Sequence, residues 1–264
     1  MTPALGKVLS VQSHVVSGFV GNKCAVLALT RLQFLVDAIN TCQLSNHTGY
    51  PTVAGQRLGG NEVRDLWDGM RKNGLDKYTH VLSGYIGDET IVEELATIVL
   101  ALPARQEFVA DPVFGDDGHF YVKDTIPQLF ERLLLPLATV ITPNQFEAEV
   151  LTGVQISTLE DAARACRILF DKGPLLKTVV ITSCSLSAEH VTLVASAREF
   201  AEDRVLVLPV KKLDGYSYTG THVLVISHSV FALNRSSFSF SRNRTRWLVH
   251  QVPATSWPRC SWDG

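Results

Sequence analysis

With 264 residues, 46% of them apolar, and a formal charge of −2, the chain can bury one large core and has no electrostatic feature that would attract nucleic acid or an anionic membrane surface. Its five cysteines, Cys24, Cys42, Cys166, Cys184 and Cys260, are widely spaced, with no C-x-x-C pair or metal-type cluster, so they read as reduced thiols. No segment approaches the ~20 apolar residues of a membrane helix and no signal-type apolar core opens the chain, which points to a cytoplasmic protein acting on small molecules.

Strand-like and helix-like stretches then alternate. A strand is expected at residues 7–12, a helix at 22–32, a strand at 34–40, a helix at 60–73, a strand at 80–83 and a helix at 88–102. A strand at 107–110, a helix at 126–135 and a strand at 139–142 continue the pattern, followed by helices at 145–152 and 158–171. Strands at 177–182, 190–196 and 204–210 complete it. Such alternation is the mark of an α/β fold, a mostly parallel sheet with helices on both faces. In the second helix, Val63, Leu66, Trp67 and Met70 recur at helical spacing and are expected to form its core face. From His222 to Asp263 there is no glycine or lysine, serine and arginine crowd in, and no helical or strand period is sustained. One α/β unit is expected over residues 1–221, with an anomalous tail over 222–264.

Open parallel sheets bind ligands at the carboxyl ends of their strands, so the chemistry is expected in the loops that leave them. The first, Q-S-H-V-V-S-G-F-V-G-N, offers Ser13, His14 and Ser17 ahead of a helix, as caps or as ligand contacts. The second, D-P-V-F-G-D-D-G-H-F-Y, has three Asp within seven residues, and Asp111 and Asp116, flanking a Pro and a Gly, are suited either to a hydrated Mg²⁺ or to a solvated turn. In the third, I-T-P-N-Q-F-E-A-E, Asn144 sits where a helix cap belongs and Glu147 is expected one turn in, facing the strand ends. The fourth, I-T-S-C, places Thr182 and Ser183 at a strand end. The stretch N-H-T-G-Y, with Thr48 at its centre, forms a turn able to cover a ligand. His14, His47 and His119 fall on these loops, whereas His80 is expected to begin a strand. Hydroxyls, carboxylates and an amide along one sheet edge suggest phosphoryl transfer from a magnesium nucleotide.

Several stretches together, V-Q-S-H-V-V-S-G-F-V-G-N-K, L-S-N-H-T-G-Y-P, H-V-L-S-G-Y-I-G-D, D-P-V-F-G-D-D-G and I-T-P-N-Q-F-E-A-E, closely resemble the pyridoxal kinases of the ribokinase-like superfamily, from about Lys7 to Thr221. The resemblance implies a ribokinase-like three-layer sandwich. It also implies phosphorylation of the 5′-hydroxymethyl group of pyridoxal, pyridoxine or pyridoxamine by ATP, with Mg²⁺ and usually K⁺, in a cytosolic homodimer. By the same resemblance Ser13, Thr48 and Tyr85 contact the pyridine ring and its substituents. Asp111, Asn144, Ser183 and Thr221 approach the ATP phosphates, and Asp116 and Glu147 organise Mg²⁺. Thr142 and Thr182 lie near phosphate or the monovalent cation, and Tyr121 lies on a lid over the nucleotide.

The departure comes at Thr219-Gly220-Thr221. In the family a G-T-G-D motif opens a helix whose N–H groups hold the transferring phosphoryl while its Asp takes the proton of the substrate hydroxyl. Here Gly220 and Thr221 remain as the remnant of that anion hole, His222 follows, and no Asp or Glu recurs before Asp263. An imidazole can act as a base near neutral pH, but the second glycine is also missing and V-L-V-I reads as strand. A shifted reading frame inside the motif would account for the break and for the tail composition, leaving the family domain C-terminally incomplete; a divergent natural tail is the alternative. The expectation is a pyridoxal kinase by descent with impaired transfer. Its rivals are a non-catalytic binder of pyridoxal or nucleotide and a hydroxymethylpyrimidine kinase, against which N-H-T-G-Y speaks for pyridoxal.

Overall fold

The structure, a computed structural model, describes residues 5–103, 106–199 and 205–212. Its strands are β1 (Lys7–Val15), β2 (Leu35–Leu44), β3 (Gly55–Arg57), β4 (His80–Ser83), β5 (Glu107–Ala110), β6 (Gly115–Asp116), β7 (His119–Phe120), β8 (Val140–Ile141), β9 (Thr178–Cys184), β10 (His190–Ala197) and β11 (Leu206–Lys211). Nine of them form one sheet in the order β11-β10-β9-β8-β5-β4-β1-β2-β3, and β6 and β7 make a separate hairpin. From β2 across to β9 every neighbouring pair is parallel, while β3, β10 and β11 are antiparallel additions at the edges. The chain runs outward from β1 to β2 and then returns to the other side of β1 with β4. The strand order therefore reverses at β1 and β4, and their carboxyl ends open a crevice.

Successive residues of each parallel strand alternate between two apolar layers, as the pleat requires. Leu9, Val81, Phe108 and Ile141 pack against helices α2 (Gly60–Lys72), α3 (Glu89–Ala101), α4 (Thr125–Leu129), α5 (Gln145–Thr152) and α6 (Leu159–Lys172). Val8, Leu82, Val109 and Val140 face the other way, toward Ala25 and Leu29 of α1 (Asn22–Arg31). This is the mixed α/β sandwich with helices on both faces that the alternation of the sequence implies. Cys42, Cys166 and Cys184 are buried free thiols and Cys24 is half-buried; Cys260 lies outside the described residues.

Four expectations need correction. The helix expected at 126–135 is broken into α4, a wider π-type turn at Phe130–Leu134 and a tight turn at Leu135–Leu137, where Pro136, with no N–H, ends the helical ladder. Leu66 is 49% exposed: Val63, Trp67 and Met70 span the stripe that meets the core, and Leu66 flanks it. The edge strand β3 and the β6–β7 hairpin are additional elements. Finally, His14 and His119 belong to β1 and β7 rather than to loops.

The helix starts are fixed by side chains. Asp88 accepts from Thr90 N at 2.9 Å to begin α3, and Thr158 and Asp161 exchange bonds at the start of α6. In α5, Asn144 Oδ1 accepts from Glu147 N at 2.8 Å while Glu147 Oε2 accepts from Asn144 N at 2.8 Å. Glu147 Oε1 also accepts from Phe114 N at 2.9 Å, so one buried carboxylate ties α5 to the loop that leaves β5. Replacing Glu147 by alanine strands two buried N–H groups and is expected to cost about 2–4 kcal/mol, read as a lowered thermal midpoint.

At the opposite end of the sheet Lys7 Nζ lies 2.6 Å from Asp37 Oδ2, and Tyr78 donates to the same oxygen at 2.6 Å. Partial burial alone would raise the Asp37 carboxyl, but the hydrogen bonds from Lys7 and Tyr78 together outweigh it and hold the group below its ordinary 3.8. A carboxylate depressed in the folded state stabilises above its unfolded pKa and loses that contribution as pH falls through the folded one. Asp37→Asn is therefore expected to lower the melting temperature at pH 7. In melts at descending pH, the gap to wild type should begin to narrow below about 3.8 and close only as pH falls through the lower folded value.

Candidate active site

The carboxyl ends of the parallel strands gather the residues singled out in the sequence. On the vitamer side of the expected site, Ser13 lies near the end of β1 and half-buried Tyr85 follows β4. The turn into α1 closes on Ser13: Gly21 has φ 56, and a Cβ there would stand 2.1 Å from Ser13 O and 2.5 Å from its Oγ. Only glycine fits that approach. Below it a buried polar cluster locks α1 onto β1 and β2. Ser10 Oγ donates to Asn22 Oδ1 at 2.7 Å, Gln12 Nε2 donates to Ser10 Oγ at 2.9 Å, and Asn22 Nδ2 reaches Asn40 Oδ1 at 2.8 Å. The serine and glycines of this loop thus position backbone as well as offering a hydroxyl.

Thr48 sits exposed on a loop closed upon itself, with Ser45 N bonded to Ala54 O at 2.7 Å and Asn46 Nδ2 to Thr52 O at 3.0 Å. Within the loop His47 Nδ1 accepts from Gly49 N at 3.1 Å, and the His47 and Tyr50 rings lie 4.6 Å apart. Tyr85 is held from below, since Thr41 Oγ1 donates to its carbonyl at 2.9 Å. Burial raises its phenol above the usual value.

The phosphate side is built more tightly. Asp111 and Thr142 extend β5 and β8, with Asp111 N bonded to Ser83 O at 3.1 Å and Thr142 N to Ala110 O at 3.1 Å. Both are buried, as are Thr182, Asn144 and Glu147, while Ser183 is half-buried at the end of β9. Thr182 N reaches Pro143 O at 2.8 Å, and its hydroxyl donates to the same carbonyl at 3.3 Å. The hydroxyls of Thr142 and Ser83 are buried without a protein hydrogen-bond partner, a costly state unless something else supplies one.

Above them the loop leaving β5 is strained and pinned. Val113, a β-branched residue, has φ 38, in the left-handed region such residues avoid. Phe114 beneath it is fully buried, and Asn144 Nδ2 donates to Gly115 O at 2.7 Å. Asp117 and Gly118 turn the β6–β7 hairpin with φ 47 and 81, the double positive φ of a type I′ turn. That hairpin leads to Tyr121, whose N–H donates to Phe114 O at 2.7 Å. The Tyr121 phenol is pushed up by burial and then by the charges of Asp116, Asp117 and Glu147.

Asp117 is the member of this group that the residue-by-residue reading left out. The dipeptide Asp-Gly, the strongest short-range hairpin signal, would have found it. Thr221, Gly220 and His222, expected as the anion-hole remnant and its neighbour, lie outside the described residues.

The donor set can be weighed against the expected ions. Mg²⁺ in phosphoryl-transfer sites takes one or two carboxylates, with water and phosphate oxygens completing its shell. Among the described residues no group of three or more acids, histidines or cysteines is arranged as a metal cage. Asp116 is exposed beside Tyr121, and Glu147 uses each oxygen to accept a backbone N–H. The residues thus fit an ion brought in with phosphate, with Glu147 shaping the loop. The unpartnered Thr142 hydroxyl fits an oxygen ligand of a monovalent cation or a donor to phosphate.

Known proteins resemble this chain in sequence and fold. The profile of the family described as phosphomethylpyrimidine kinase matches residues 77–222. A pyridoxal kinase of Arabidopsis thaliana is 42% identical over 82% of this chain and 70% of its own length. The human pyridoxal kinase is 43% identical over 68% of this chain and 59% of its own length. The structure of a Leishmania donovani pyridoxal kinase in complex with ADP and pyridoxamine superposes with a TM-score of 0.76 at 35% identity, covering 87% of this chain and 80% of that one. No helix among the described residues is long and apolar enough to cross a membrane. Sequence identity at this level and a shared fold lead to one conclusion: the chain belongs to the pyridoxal kinase family of the ribokinase-like superfamily.

Proposed function

We propose that the chain is built for ATP-dependent phosphorylation of the 5′-hydroxymethyl group of pyridoxal, pyridoxine or pyridoxamine, and that its transfer step is impaired. The observation that carries this reading is the layout of one sheet edge. Ser13 and Tyr85 stand where the strand order reverses, at β1 and β4, and Asp111, Thr142 and Thr182 stand at the ends of the next three strands, β5, β8 and β9, with Asp116, Tyr121 and Glu147 on the segments that follow β5 and β8. That spacing suits an alcohol on one side and a nucleotide's phosphates on the other, as transfer between them demands.

In this reading Ser13, Thr48 and Tyr85 hold the pyridine ring. Asp111, Asn144, Thr182 and Ser183 line the path of the phosphates, with Thr221 expected beside them. Tyr121 closes over the nucleotide, and Asp116 and Glu147 orient Mg²⁺, which when bound neutralises the charge of the transferring phosphoryl. Thr142 and Thr182 serve K⁺ or a phosphate oxygen. The enzyme works as a homodimer in the cytoplasm, with no nucleic acid or membrane partner.

The impairment rests on the sequence at Gly220-Thr221-His222, where the family's aspartate is replaced. Loss of a general base costs about 10²- to 10⁴-fold in rate. A coupled assay of the purified chain with pyridoxal and MgATP is expected to show turnover lower than an intact relative by that factor, with both ligands still bound in calorimetry. Turnover equal to the relative's would overturn the impairment, and absence of binding of either ligand would overturn the function. The match to a phosphomethylpyrimidine kinase profile supports one rival substrate, hydroxymethylpyrimidine. Comparing the two heterocycles in the same binding experiment separates the readings.

A further inference from the structure

Arg57 is the last residue of β3 and stands directly opposite Cys42 of β2 in the antiparallel register. Directly opposed residues of antiparallel strands share a face, their Cβ atoms about 4.5–5.5 Å apart. The face in question is defined by an irregularity in β2. Gln12 pairs with Asn40 but His14 pairs with Gln43, so β2 carries one extra residue against β1. This bulge leaves Thr41 bonded to the Tyr85 carbonyl, and it groups Cys42 and Leu44 with Val15 in a small apolar cluster. Tyr85, Val20 and Val53 pack against that cluster.

Arg57 therefore projects on the side of β2 that carries Tyr85. The electrostatics agree: burial raises both the Cys42 thiol and the Tyr85 phenol, and the charge of Arg57 works against the rise in each. Arg57 is exposed, and among the described residues no carboxylate pairs with it. An unneutralised guanidinium beside an aromatic ring at the rim of a ligand crevice is suited to an anionic oxygen on a flat heterocycle.

We propose that Arg57 is a specificity-determining residue of the ring site, pairing with the ionised ring hydroxyl of a 3-hydroxypyridine substrate. The inference rests on the assignment of the ring to the Ser13–Tyr85 side. The chemistry of such rings favours it: protonation of the ring nitrogen makes the hydroxyl at the 3-position acidic, so near neutral pH the molecule carries an oxyanion on its edge. A heterocycle without that hydroxyl gives the guanidinium nothing to pair with.

The test is equilibrium binding by calorimetry, which does not depend on turnover. Pyridoxine and 3-deoxypyridoxine are titrated into the full chain, wild type, Arg57→Lys and Arg57→Gln. Arg57→Gln is expected to weaken pyridoxine about tenfold, while the deoxy analogue changes by less than about twofold. Arg57→Lys is expected to retain most of the affinity, and ATP binding should be unchanged in all three. Should the glutamine variant fail to fold, Arg57→Val, a strand-favouring replacement, gives the same readout. Equal pyridoxine affinity in wild type and Arg57→Gln, or an equal loss on both compounds, overturns the proposal while leaving the ring site intact. A wild-type chain that binds neither compound overturns the ring-site assignment and this proposal with it.

Discussion

The proposed phosphate half of the site depends on one buried carboxylate. Glu147 spends one oxygen on the N–H of Asn144, closing the first turn of α5, and the other on the N–H of Phe114, in the loop that leaves β5. Charge-assisted bonds of this kind contribute about 1.5–3 kcal/mol each, and burial sharpens their directional demand. Asn144 then adds its amide to Gly115 O, so a helix start and a strained loop become one rigid body. Asp116 and Tyr121, on the hairpin that follows, inherit their positions from that junction, while Asp111 and Thr142 are set by the sheet itself. Val113 can keep its unfavourable backbone angle only because Phe114 on one side and the hairpin on the other hold it there.

The two halves of the edge are built by different means. On the phosphate side the groups hang from short buried strands and a capped helix, and two hydroxyls, Thr142 and Ser83, are left without protein partners at the strand ends. On the ring side an apolar cluster, a bulged strand and a self-closed loop surround Tyr85 and Ser13. A rigid half suits charged phosphates, whose recognition relies on preorganised donors. A half with an exposed loop suits a ligand that must enter and leave. The proposed binding residues are spread over six strands, whereas the proton-accepting residue implied by the family resemblance belongs to a single motif. Under the proposed function, a break in that motif would separate recognition from chemistry in a way that no single change on the sheet edge would.

Much of this was legible before any coordinates. The strands at 80–83 and 107–110 and the helix at 145–152 fall where the pattern puts them, because buried parallel strands and capped helices leave strong local signals. Less legible was anything set by a partner far away in sequence. Leu66 matches the helical period but flanks the stripe that meets the sheet. The three residues of β3 have no strand character of their own and become a strand because Cys42, Gln43 and Leu44 offer an open edge. The acids of D-P-V-F-G-D-D-G read as metal ligands or as solvated turn, and the structure adds a third use, since Asp117 turns a hairpin that delivers Tyr121.

The sequence by itself determined the family, the alternation of strands and helices, and the loss of the acid after Gly220-Thr221, since each is written in neighbouring residues. Tertiary structure decided which side chains meet. Glu147 reached the backbone of Phe114, thirty-three residues away. Arg57 came to share a face with Cys42 and Tyr85 through a register and a bulge, neither of which leaves a mark on its own stretch of chain. Local pattern fixes what each element is, because caps and periodicity act over a few residues. The company each side chain keeps depends on strand order and burial, which only the closed sheet supplies.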